Sequence, residues 1–139
     1  MLLSPQLEMG LHDPEQVNKM KIDEVANILK ATVHHIPENY DVDIVQAGAA
    51  DLMSDVLAYV QRDMLLITGL NTIQVIRTAS VMDITAIVFT RGKVPTHQMI
   101  EEAKSSNITI LSTDYKTYTT CGLLYSSGVM SIDGESPGE

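Results

Sequence analysis

Four short stretches of this chain combine glycine, hydroxyl and charged side chains in a pattern suited to holding an anion. They read Ala47-Gly48-Ala49-Ala50-Asp51, Thr68-Gly69-Leu70-Asn71, Thr90-Arg91-Gly92-Lys93 and Ser112-Thr113-Asp114-Tyr115. Each follows an apolar run and precedes a helical pattern. The first N–H groups of a helix have no intrahelical partner, and the helix dipole favours negative charge beside them. Arg91 and Lys93 add two cations to a chain whose formal net charge is −9. The ligand-binding candidates are therefore Gly69, Asn71, Thr90, Arg91, Gly92, Lys93, Ser112, Thr113 and Asp114, and the ligand class is a small anion such as a nucleotide. Glycine and threonine at such turns also serve ordinary turn and cap chemistry. Neither phosphate-loop signature, G-x-G-x-x-G or G-x-x-x-x-G-K-S/T, is present.

The remaining reactive residue types do not assemble a catalytic set. His34 and His35 are adjacent, near Asp41 and Asp43. Neighbours in a strand point to opposite faces and cannot both reach one metal, so a solvated turn is expected. His12 and His97 lack a histidine or cysteine partner three or four residues away. Asp51 and Asp55 share a helix face but read as an N-cap and a solvated charge. Ser54 lacks the G-x-S-x-G setting of a hydrolase nucleophile. No nucleophile, base and orienting group come together. No catalytic residue, metal or cofactor is expected. Cys121, the single cysteine, cannot form an internal disulfide and reads as a small buried hydrophobe on a helix.

The elements that position these residues follow from hydrophobic period. Ile22, Val25, Ala26 and Leu29 lie on one helical face, so the folded part opens near Met20. Val42 to Ala47 is strand-like and ends at Gly48. Asp51 is placed to cap a helix bearing Leu52, Met53, Val56, Leu57 and Val60. Met64–Thr68, Thr85–Thr90 and Ile108–Ser112 are buried strands. Between them run a helix capped by Asn71, with apolar residues at 73, 75, 76, 79, 81 and 82, and a helix capped by Thr96. Asp114 opens a last helix whose apolar face is Tyr118, Cys121, Leu124 and Tyr125. Continuous apolar strands alternating with helices define an α/β fold: a three-layer βαβ architecture with a mainly parallel sheet flanked by helices. Ligands in such sheets sit beyond the carboxyl ends of the strands, where the four stretches fall.

The 139 residues make one domain by length. Its expected boundaries are a flexible arm over 1–19, the α/β domain over 20–130 and a polar tail over 131–139. The excess of acidic over basic residues opposes nucleic acid and an anionic membrane as partners. No apolar run is long enough to span a bilayer and the first residues lack a signal-peptide pattern, which places the chain in the cytoplasm.

The stretch Ala50-Asp-Leu-Met-Ser-Asp-Val-Leu-Ala58, with Leu66-Ile-Thr-Gly-Leu70, Gln74-Val-Ile-Arg-Thr-Ala79, Ile87-Val-Phe-Thr-Arg-Gly-Lys-Val-Pro95 and Ile110-Leu-Ser-Thr-Asp-Tyr115 through Cys121-Gly-Leu-Leu-Tyr125, resembles the DRTGG domain over about residues 20–128. The resemblance implies a fold similar to the N-terminal domain of bacterial HPr kinase/phosphorylases. It also implies a non-catalytic module that forms homodimers, attached to phosphotransacetylases, set between CBS domains of pyrophosphatases, or free-standing. Many members carry Gly-Asp-Arg and Thr-Gly-Gly where this chain has Gly69-Leu70-Asn71 and Thr90-Arg91-Gly92. Leu70, in place of a charge, becomes the expected exposed anchor of an interface. The first functional reading is a regulatory module that homodimerises and senses a small anion. The alternatives are a ligand-free interaction module for a metabolic enzyme and, third, a small phosphotransfer enzyme.

Overall fold

The computed structural model describes residues 19–38 and 42–134. In chain order the elements are β1 (Met20–Lys21), α1 (Ile22–Leu29), β2 (Thr32–His35), β3 (Asp43–Ile44), β4 (Gln46–Ala49), α2 (Met53–Tyr59), β5 (Met64–Thr68), α3 (Ile73–Val81), β6 (Ala86–Phe89), α4 (His97–Ser106), β7 (Thr109–Ser112), α5 (Thr117–Ser126) and β8 (Met130–Ser131). Six strands form one sheet in the order β2-β7-β6-β5-β4-β8. Only the β2–β7 pairing in it is antiparallel. β1 and β3 make a separate short antiparallel pair.

The apolar runs of β5, β6 and β7 are buried at every residue, because side chains of alternate residues enter two cores. Met64, Leu66, Ile87, Phe89 and Ile110 face α2, α3 and α4. Leu65, Ile67, Ala86, Val88 and Leu111 face the side carrying α1 and Leu124 of α5. The three-layer α/β architecture with a mainly parallel sheet is thus the observed one.

Local chemistry sets the ends of the helices. Lys21 donates its main-chain N–H to the Glu24 carboxylate at 3.0 Å, which closes the start of α1. Lys30 ends that helix in the left-handed conformation, as Asn107 ends α4. Thr96 caps α4 as expected, accepting from the Met99 N–H at 3.1 Å.

Several expectations need correction. Met20 and Lys21 form a strand, and the helix starts at Ile22. The strand expected over Val42–Ala47 is two, β3 and β4, and the second runs past Gly48 to Ala49. The caps of α2, α3 and α5 are Leu52, Thr72 and Lys116 rather than Asp51, Asn71 and Asp114, and none of the three accepts a capping hydrogen bond through its side chain. His34 and His35 lie in strand β2, not in a turn. The tail expected from residue 131 begins later. Ser131 pairs with Ala47 in β8, the Ile132 N–H donates to the Ala47 carbonyl at 3.1 Å, and Ile132 packs on the core. The rest of that tail, 135–139, and the arm over 1–18 lie outside the described residues.

Candidate functional site

The turns after β5, β6 and β7 do converge on one rim. Thr90 hydrogen-bonds through its main-chain N–H to the Thr68 carbonyl at 3.0 Å, Arg91 likewise to Tyr115 at 2.8 Å and Gly92 to Thr113 at 3.0 Å. Arg91 and Gly92 both take positive φ, 65° and 71°. For Gly92 that is an ordinary conformation, while Arg91 is held in it by its bonds. The Arg91 Nη2 donates to the Gly69 carbonyl at 3.0 Å. Gly69 is needed for close approach: a Cβ there would lie 2.9 Å from Arg91 Nε. Asp51, freed from capping, accepts the Gly69 N–H at 2.8 Å and the Thr68 hydroxyl at 3.1 Å.

The nine candidate residues divide by exposure. Arg91, Gly92, Lys93 and Asp114 are exposed, Asn71 is half-buried and Gly69 is buried. Arg91 and Lys93 make no ion pair among the described residues. Thr90, Ser112 and Thr113 are buried, and their hydroxyls are already engaged. Thr90 bonds to Thr117 at 2.7 Å, Thr113 donates to the Leu29 carbonyl at 2.7 Å, and Ser112 pairs with His34 Nε2 at 2.7 Å. These three build the rim rather than face solvent. Asn71 donates to the Val94 carbonyl at 3.2 Å, while its Oδ1 is buried without a partner among the described residues.

The Ser112–His34 contact joins residues 78 positions apart, which no local spacing announces. Burial lowers the His34 pKa below its usual 6.5, so the ring is neutral at pH 7. The pKa of His35 is lowered too, first by burial and then by the Lys104 charge. Among the described residues no group of three His, Cys, Asp or Glu side chains is arranged to hold a metal.

A second feature lies beside the rim. α5 packs on the sheet through Thr120 and Leu124, a face rotated from the expected one. Tyr118 is 89% exposed, Tyr125 is 40% exposed and Cys121 is half-buried. Between α5 and the sheet edge runs a groove of about 890 Å³, within the usual range of ligand sites. Ala47, Gly48 and Ala49 form one side, Tyr118, Cys121, Gly122 and Tyr125 another, and Met130 to Asp133 close the edge. No lysine or arginine lines it. Burial raises the Cys121 pKa, so the thiol stays protonated. Ile67 and Tyr118, which line the groove, are the sequence neighbours of Thr68 and Thr117 at the rim.

Leu70, expected as an exposed anchor, is instead half-buried and packs against the core beneath α3.

An open α/β sheet whose strand ends gather glycine, hydroxyl and arginine defines the class. The DRTGG domain model matches residues 24–127, and the chain belongs to the DRTGG domain family. Among solved structures it is similar to the CBS and DRTGG domains of the regulatory region of Clostridium perfringens pyrophosphatase, complexed with its activator, diadenosine tetraphosphate. The TM-score is 0.69 at 19% identity, and the match covers 96% of this chain but 59% of that one. That likeness establishes the fold. No curated protein matches the chain. Among the described residues no helix is long and apolar enough to cross a membrane.

Proposed function

We propose that this DRTGG domain is a regulatory module that homodimerises in the cytoplasm and senses a small anionic ligand of the nucleotide class, with no catalysis of its own. The observation that carries the reading is the pair Arg91 and Lys93: exposed cations without a carboxylate partner among the described residues, at the carboxyl ends of a parallel sheet. α3 and α5 add amino-terminal N–H groups that no side chain caps. The similar pyrophosphatase region, solved with a nucleotide activator, supports the class of ligand.

A panel of nucleotides and pyrophosphate in thermal-shift measurements tests this. A ligand of the native state raises the melting midpoint as RT ln(1 + [L]/Kd) requires. Arg91→Ala should weaken such a ligand by roughly 1.5–3 kcal/mol, the range for a hydrogen bond to a charged group. Unchanged affinity in that variant removes Arg91 from the site.

The dimer surface rests on other residues than Leu70. α2 and the residue before it present exposed Leu52, Leu57 and Tyr59. Such a patch is the kind a symmetric pair buries. The same surface supports the second reading, docking on a partner enzyme without a ligand. Sedimentation at tens of micromolar decides: a 15.2 kDa species ends the dimer. A chain trimmed to 20–134 should still melt cooperatively, and loss of that melt would mean that the ends contribute to the core.

A further inference from the structure

We propose that the groove between α5 and the sheet edge is the seat of a purine-type ring, read by the main chain of Ala49. The inference rests on the ligand-sensing reading above and names the part of the ligand that the rim does not hold.

The argument starts at the end of β8. β4 pairs with β8 over two residues only, Gln46 with Met130 and Ala47 with Ser131. The Ile132 N–H completes that ladder on the Ala47 carbonyl. On the other side β4 pairs with β5 through Ala49, and the Ala50 N–H donates to the Ile67 carbonyl. Main-chain groups alternate in direction along a parallel strand. Gly48 therefore turns its N–H and C=O towards β5, and Ala49, which lines the groove, turns both of its own to the β8 side, past the end of that strand. One donor and one acceptor on a single exposed residue make an edge too short to extend a sheet. They match the adjacent donor and acceptor on the edge of a purine such as adenine.

Three further features select a flat, neutral ring. The small side chains of Ala47, Gly48 and Ala49 leave room for a planar group to approach the Ala49 edge. Tyr118 and Tyr125 stand on the opposite wall, and aromatic side chains stack on bases of any sequence. The lining contains Asp133 but no lysine or arginine, so the groove offers an anion no opposite charge, whereas an uncharged base needs none. The charge of a nucleotide would remain outside, towards Arg91.

Gly122 offers a clean block. It lines the groove in the middle of α5, is exposed, and a Cβ there has nothing within 4 Å. Gly122→Phe fills the groove without disturbing the core, and replacing a helical glycine favours the helix, so its melting midpoint should not fall. Adenosine, which carries no phosphate, is the probe. The full chain should bind it in calorimetry, with the Ala49 amide signal moving in a nitrogen-15 NMR titration. Gly122→Phe should weaken that binding by about tenfold or more. Failure of the wild type to bind millimolar adenosine overturns the groove assignment, and so does equal binding by Gly122→Phe. Pyrophosphate serves as the control for the rim. If it binds and Arg91→Ala weakens it while adenosine fails, the anion reading stands and only the groove proposal falls.

Discussion

α3 and α5 both carry more apolar residues than one contact with a sheet requires, yet only α5 keeps its surplus open. The band on α3 is absorbed from three sides. Val75, Ile76 and Ala79 enter the core, Ile73 and Met82 pack at its margin, and α2 and α4 flank the helix. Val81, 76% exposed, is what remains. α5 packs beside α1 on one side and faces the edge of the sheet on the other. Tyr118 therefore stays 89% exposed and Tyr125 40% exposed. A broad apolar face is thus ambiguous until the number of flanking elements is known. The helix in the middle of a layer consumes it, and the helix at the margin displays it.

The largest effect that probes this contrast is Ile76→Ala. Ile76 is fully buried, and truncation should cost about 2–5 kcal/mol in urea denaturation. Tyr118→Ala should stay within about 0.5 kcal/mol of the parent, as for an exposed site. A cost for Tyr118→Ala near that of Ile76→Ala would mean that the open face of α5 is covered in solution, and the contrast would fail.

Leu70→Asp comes next. A half-buried leucine against the α3 core should give roughly 1–3 kcal/mol of lost stability. The loss should be independent of protein concentration. A variant with unchanged urea midpoint but weakened self-association would restore Leu70 to an interface.

The smallest expected effect is pH-dependent. The pKa values of His34 and His35 are both lowered on folding. The unfolded chain therefore binds more protons than the folded one between the lowered values and 6.5. Stability is complete above pH 6.5 and falls as pH drops through that window. The melting midpoint should decline between pH 7.5 and 5, less so in His34→Gln. A profile in which acid raises the midpoint would contradict burial of these rings.

The parallel core was legible because Met64–Thr68 and its companions are apolar on both faces and need no distant information. Residue choice at the turns misled where one side chain has two uses. Asp51 before an apolar run looks like a cap, but the nearby Gly69 N–H and Thr68 hydroxyl claim it. The face of α5 was misread because Thr120, a residue not counted as apolar, is fully buried while Tyr118 is not. The His34–Ser112 pair and the groove depend on which strands become neighbours. The return of β8 to pair with β4 is set by the whole sheet and leaves no mark on local period.

The order of the strands also bears on how the chain assembles. β4 to β7 are joined to their successors in sequence, so each pairing closes a short loop. β2 meets β7 across a separation of 78 residues at the His34–Ser112 contact, and Thr113 reaches the Leu29 carbonyl across 84. Loop closure of that length is costly before its contacts reward it. The α1–β2 segment should therefore dock after the inner strands have paired. In pulse-labelled refolding, the amides of β5 and β6 should gain protection before those of β2. Simultaneous protection of β2 would indicate that the sheet closes as one cooperative event.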